Sequence, residues 1–179
     1  MDLSYNPGNE VRLTGGADVR LGRTQALSGD FTITLYGTDT LGDTEQYGPG
    51  NKVSATAQYM QNIGFNMIRV VARYQSQAKS SLPVAAEANA SVEELRIIPT
   101  QGTALVVYHH RIRDGIRIAW RAQGQIFGQT AVFSSKSLFT AGVTPAISFE
   151  DSWMLRPQFA YTVGSFTGLE VGLGLGLEL

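Results

Sequence analysis

Large aliphatic side chains stand at every second position of VGLGLGLEL, residues 171–179, with Gly172, Gly174 and Gly176 in the gaps. A helix of 3.6 residues per turn would scatter those leucines around its axis, whereas a strand sets them on one face. The stretch reads as a strand with one apolar side, and a long strand of that kind must close against another or aggregate. The same period governs most of the chain. Over 10–22, Val11, Leu13, Ala17, Val19 and Leu21 oppose Glu10, Arg12, Thr14, Asp18 and Arg20. Over 30–38, Phe31, Ile33 and Leu35 oppose Thr32, Thr34 and Tyr36. Segments 52–61 and 65–76 continue the pattern, joined by a turn at Asn62-Ile63-Gly64.

The sharpest hairpin signal is HHRIRDGIRIAWRAQ, 109–123, because Asp-Gly between alternating strands supplies the two residues that best accept positive φ. Ile112, Ile116, Ile118 and Trp120 share its apolar phase, and Arg111, Arg113, Arg117 and Arg121 its polar phase. Segments 138–149, weakened at Pro145, and 153–163 follow before the terminal Leu/Gly strand. Nine strand-like segments result, most of ten residues or more, against a usual strand of about 5–6. Residues 78–102 lack alternation and form a long loop, inside which Ser91-x-x-Glu94 has the spacing of a capping box and predicts a short helix.

Composition narrows the function classes. With 14 basic and 15 acidic residues there is no general electrostatic grip on nucleic acid. The absence of cysteine excludes disulfides and thiolate metal sites. The 20 glycines, about half again the average share, fit many turns and close backbone contacts. No apolar run approaches the ~18 residues of a membrane helix, and no basic-then-apolar leader precedes the first strand. His109 and His110 are neighbours in a strand, so they point to opposite faces and cannot hold one metal together. Asp114 is accounted for by its turn, and no nucleophile or paired-carboxylate motif stands out, so no enzyme, cofactor or metal site is expected.

The expected fold is all-β: an antiparallel up-and-down barrel of 8–10 strands, a single domain over 1–179 with the long loop at 78–102. Alternation alone leaves open which face is inside. Three features favour lipid on the apolar side. The segments match the ~9–11 tilted residues that cross hydrocarbon. Tyr59, Tyr74, Phe149 and Tyr161, all of the apolar phase, lie toward segment ends, where interfacial aromatics belong. The other phase carries arginines with carboxylates and glycines, a set that suits a crowded polar interior with bidentate pairs.

These long dyad-alternating strands, the tight turns Arg113-Asp114-Gly115 and Glu150-Asp151-Ser152, the Arg-lined face and the closing run SWMLRPQFAYTVGSFTGLEVGLGLGLEL, 152–179, resemble bacterial outer-membrane β-barrel proteins of the porin-like kind. Leu179 stands where such barrels usually carry a terminal Phe or Trp. The resemblance implies a transmembrane barrel integral to the bacterial outer membrane, with the lipid bilayer as partner and the tight turns in the periplasm. Their strand count is even, which nine is not. Ile116, Ile118, Trp120, Leu173, Leu175 and Leu177 are then the lipid-facing residues, and Arg69, Arg73, Arg111, Arg113, Arg117, Arg121 and Arg156 face the lumen. Two uses of that lumen stay open: a passive pore for small, anionic solutes, or a filled structural barrel in which carboxylates neutralise the arginines. The alternative is a soluble lipocalin-like barrel that turns its apolar face inward around a small ligand.

Overall fold

The computed structural model describes residues 4–42, 44–83, 92–149 and 153–177. Fourteen strands follow one another: β1 (Tyr5–Asn6), β2 (Glu10–Arg20), β3 (Gln25–Tyr36), β4 (Asp39–Leu41), β5 (Thr44–Tyr47), β6 (Lys52–Ile63), β7 (Asn66–Gln77), β8 (Ser80–Pro83), β9 (Val92–Leu95), β10 (Gln101–Arg113), β11 (Ile116–Phe127), β12 (Lys136–Phe149), β13 (Trp153–Gly164) and β14 (Gly168–Leu177). Nine of them form one sheet in the order β14-β13-β12-β11-β10-β7-β6-β3-β2, every ladder antiparallel. These are the nine alternating segments of the sequence. The segment beginning at 116 is a single strand ending at Phe127, with no regular structure again before Lys136.

The sheet is an antiparallel meander, and no closing ladder joins β14 to β2 among the described residues. Parity excludes one form of closure. Strand direction alternates along a meander, so the first and ninth strands run the same way, and an antiparallel closing ladder is not available to them.

Cross-strand rows tie the alternation to one face across the whole sheet. Val19, Leu27, Tyr59, Val70 and Val106 stand directly opposite one another in successive ladders, and the row continues through Ala122, Ala141, Tyr161 and Leu169. Pro145 and Pro157 interrupt the β12–β13 ladder between Val143–Phe159 and Ile147–Leu155, since neither has an N–H to give, yet the register on both sides is the same.

Tight turns gather at one end of the sheet. Gly64 and Gly115 adopt φ of 60° and 72°, a region that L side chains rarely enter, and each lets its chain reverse within two residues. The Glu150-Asp151-Ser152 turn lies outside the described residues. At the other end three connections are longer, two of them carrying the small strands, and only the three-residue link from β13 to β14 is short. β1, β4 and β5 form a three-stranded sheet, β8 pairs with β9, and an isolated bridge from Gly48 to Ser81 links the two.

The β8–β9 ladder corrects one expectation. Val92–Leu95 is a strand whose backbone pairs with Ser80–Pro83, and no helix forms over the described part of the loop. A ladder supplied by a segment that ends eight residues before it satisfies the backbone groups that a capping box would have served within a helix. Ser91 itself lies outside the described residues, as do Glu178 and Leu179.

Candidate functional site

The two faces of the large sheet differ in what they hide. Among the described residues, the buried members of the sheet are Val71, Thr34, Gln77, Met154 and Ala160, and all belong to the polar phase; Val71, flanked by Arg69 and Arg73, is only 3% exposed. The apolar phase is the open one. Leu173 is 75% exposed, Leu169 73% and Trp120 51%. Ile116, Ile118 and Trp120 share this face with Leu173 and Leu175, because Trp120 connects through Val143 and Phe159 to Val171 in one row. By register Leu177 belongs to the same phase, opposite Trp153.

The polar face carries the cations. One row runs from Arg20 through Ala26, Met60, Arg69, Val107, Arg121, Gly142 and Ala160 to Glu170. Arg69 and Arg121 are therefore separated by one strand, with Val107 between them. The Nε of Arg69 is enclosed and has no hydrogen-bond partner in the structure. Toward the tight-turn end His109 lies opposite Met67 and Ala119 on this same face, whereas His110 lies opposite Ile118 on the other, stacked against Tyr108 at 6.0 Å.

Arg111 and Arg117 face each other directly, a like-charge pair that would repel if both heads stayed together. Arg111 turns away: its guanidinium bonds the Asp114 carboxylate and lies over the Phe65 ring at 4.8 Å. Arg117 is left to the polar face. Arg113 is placed differently, because a bulge between Arg111 and Arg113 sets it opposite Ile116, across from the apolar phase and exposed beside the turn. Arg156 lies on the polar side of β13, its Nε on the Met154 sulfur at 2.9 Å, opposite Gly174.

Arg73 occupies a separate environment. It lines a pocket of about 330 Å³ with Ser54, Thr56, Gln75, Gln101, Thr103, Gln123 and Gln125, a set of hydrogen-bonding groups with no carboxylate among them. The sequence pattern puts Gln75 on the polar phase with Arg69 and Arg73, but marks no site at these glutamines. Their signal was present as pairs two residues apart, Gln75 with Gln77 and Gln123 with Gln125, on the phase of the arginines.

Acidic partners are few. Among the described residues the side-chain ion pairs are Arg12–Glu10 at 2.8 Å and Arg111–Asp114. Glu170 instead accepts a hydrogen bond from Gln158 at 3.0 Å. Among the described residues Arg69, Arg73, Arg117, Arg121 and Arg156 thus have no carboxylate in bonding range; Arg121 donates one bond to Gln123 Oε1 and Arg156 one to Met154, and their other donors remain for a ligand or water.

At the long-loop end the polar chemistry is structural. Asp39 accepts hydrogen bonds from the Gly8 N–H at 2.7 Å and the Tyr5 hydroxyl at 2.8 Å, tying β4 to the chain before β2. The Gly8 N–H, then the Tyr5 hydroxyl, hold the Asp39 carboxyl below its usual value; the same bond raises the Tyr5 phenol. Set against known protein families, curated proteins and solved structures, the chain finds no match.

Proposed function

We propose that this chain spans a bacterial outer membrane as a β-barrel-type sheet, with its apolar phase against lipid, and that small anionic solutes cross along its arginine-lined polar face. One observation carries the reading: burial falls on the polar phase while the large aliphatic and aromatic side chains stand exposed. A water-soluble sheet would bury the opposite set, since contiguous apolar surface of this extent is otherwise covered. The lipocalin-like alternative needs that inverse arrangement.

Passage rather than a filled interior is favoured by the shortage of carboxylates near the arginines among the described residues, because cations without a neutralising acid attract anions. Conduction is a matter of bidentate but multi-site contacts: Arg69, Arg121 and Arg117 offer successive guanidinium groups, none closed off by a carboxylate among the described residues.

The test uses Trp120 in a Trp153→Phe background, refolded with vesicles whose acyl chains are brominated at the bilayer centre. Strong quenching is expected. No quenching, together with cooperative folding in plain buffer, would turn the faces around and make the protein a soluble carrier. Planar-bilayer recording then reads transport: the reversal potential in a KCl gradient is expected to show anion preference, and absence of conductance in quenched samples would leave a structural barrel.

A further inference from the structure

The two long edges of the sheet, β2 and β14, each leave one row of backbone N–H and C=O groups without a ladder among the described residues. In hydrocarbon such groups must be paired, and only a closed sheet pairs them all. We infer that β2 and β14 pair with each other in a parallel ladder, which closes the nine strands into an odd-numbered barrel. The inference rests on the membrane-spanning reading above and goes beyond it by fixing the partner, direction and register of the seam.

Direction follows from counting. Eight antiparallel ladders lie between β2 and β14, so the two edges run the same way. Two copies held in one membrane orientation would also meet in parallel, so direction alone does not choose between self-closure and a second copy. The register does. Along the row that begins at Arg20, at the very end of β2, the distance to the tight-turn end of the strands grows unevenly, most of it by β12, and the row reaches β14 at Glu170, seven residues before that strand ends. That net offset is the stagger that rolls a sheet into a barrel, and the even value next above it is about eight residues around the circle.

A stagger of that even size carries the Arg20 row back onto β2 at Arg12. Glu170 then meets Arg12, joining an acid on one edge to a base on the other. The apolar phases coincide as well: Val171 meets Leu13, and Leu175 meets Ala17. An odd stagger would instead put the leucines of β14 on the side of Arg12 and Asp18. Gly172, Gly174 and Gly176 fall on the lumen side of the seam. They leave space beside Arg156, where a Cβ at Gly174 would come no nearer than 3.6 Å. Charge, phase and stagger of a single chain therefore agree on one seam.

The chain has no native cysteine, so engineered pairs report without background. Val171→Cys with Leu13→Cys, and Leu175→Cys with Ala17→Cys, are refolded in lipid vesicles and oxidised. Ala57→Cys with Ala72→Cys, directly opposite in the β6–β7 ladder, is the positive control. Both seam pairs are expected to link within one chain, several-fold more than Leu175→Cys with Asn9→Cys, which an antiparallel seam would favour. Links between two chains would overturn self-closure in favour of a second copy. Absence of any link while the control pair forms would overturn the seam itself. Trp120 quenching in the same vesicles separates the two failures: a quenched sample without links removes only the seam, and an unquenched one removes the reading beneath it as well.

Discussion

Replacing Leu173 by arginine tests the orientation of the faces through stability. Leu173 lies in the middle of β14, and 75% of its surface is open. If that surface meets lipid, removing the leucine forfeits about three-quarters of the ~1.5–3 kcal/mol that full burial of such a side chain provides, roughly 1–2 kcal/mol. The guanidinium then has to sit in or escape from hydrocarbon, so that the whole substitution costs about 2–4 kcal/mol near the bilayer centre. If the surface meets water, the same change on an exposed strand position stays within about 0.5 kcal/mol. The neighbouring substitution Gly174→Ala is the control, since its Cβ would make ordinary contact with Arg156 at 3.6 Å. Reversible urea unfolding in vesicles, followed by tryptophan fluorescence, gives both free energies. A Leu173→Arg penalty no larger than that of Gly174→Ala would refute the lipid assignment of the apolar face.

Three further outcomes are expected. Arg121→Glu, which reverses one charge in the row shared with Arg69, lowers anion preference in a KCl gradient, read as a shift of the reversal potential toward the cation side. Gly115→Val forces a β-branched residue to φ near 72° and costs at least about 1–2 kcal/mol in the same unfolding assay, whereas Gly115→Asn costs less. The Asp39 contacts respond to pH at both extremes. Because Asp39 is depressed, its contribution is present above the ordinary aspartate value and is lost as pH falls through the depressed one, below 3.8; because Tyr5 is raised, its contribution is lost only as pH climbs above 10.0. Proteolysis around Tyr5 is expected to rise below pH 3.8 and above pH 10, and the Asp39→Asn variant to remove the acid transition.

Much of the architecture can be read from residues alone, because each long strand has an apolar side of its own. Val11-x-Leu13 or Leu173-x-Leu175 states its face without reference to any partner. Partners decide the rest. Val92–Leu95 has a local helix-start signal and becomes a strand only because Ser80–Pro83 lies alongside. β1, β4 and β5 run for two to four residues, too short for a period to register, and Asp39 ties them through contacts 31 and 34 residues apart. The first half of β10, TALVVY, is apolar on both phases; Val107 and Leu105 therefore lie among arginines and glutamines on the polar face, which the alternation of neighbouring strands did not foretell. At the candidate site the missed placement is Arg113. A single extra residue at Ile112 moves it across the sheet, and bulges of one residue leave no trace in spacing.

The β8–β9 ladder also bears on how the sheet assembles. Every ladder of the large sheet joins strands consecutive within it, and β10 and β11 are separated by only two residues, Asp114 and Gly115. Between β7 and β10, by contrast, 23 residues intervene. Bringing the ends of that longer stretch together costs about 2 kcal/mol more in chain entropy than closing a two-residue turn. Pairing Ser80 with Leu95 draws those ends together in advance, leaving a few residues on either side to span the remainder. The small ladder then acts as a staple set before the central joint of the sheet, and the halves on either side of it, β2 to β7 and β10 to β14, become two zippers that can each run from their own hairpins before meeting.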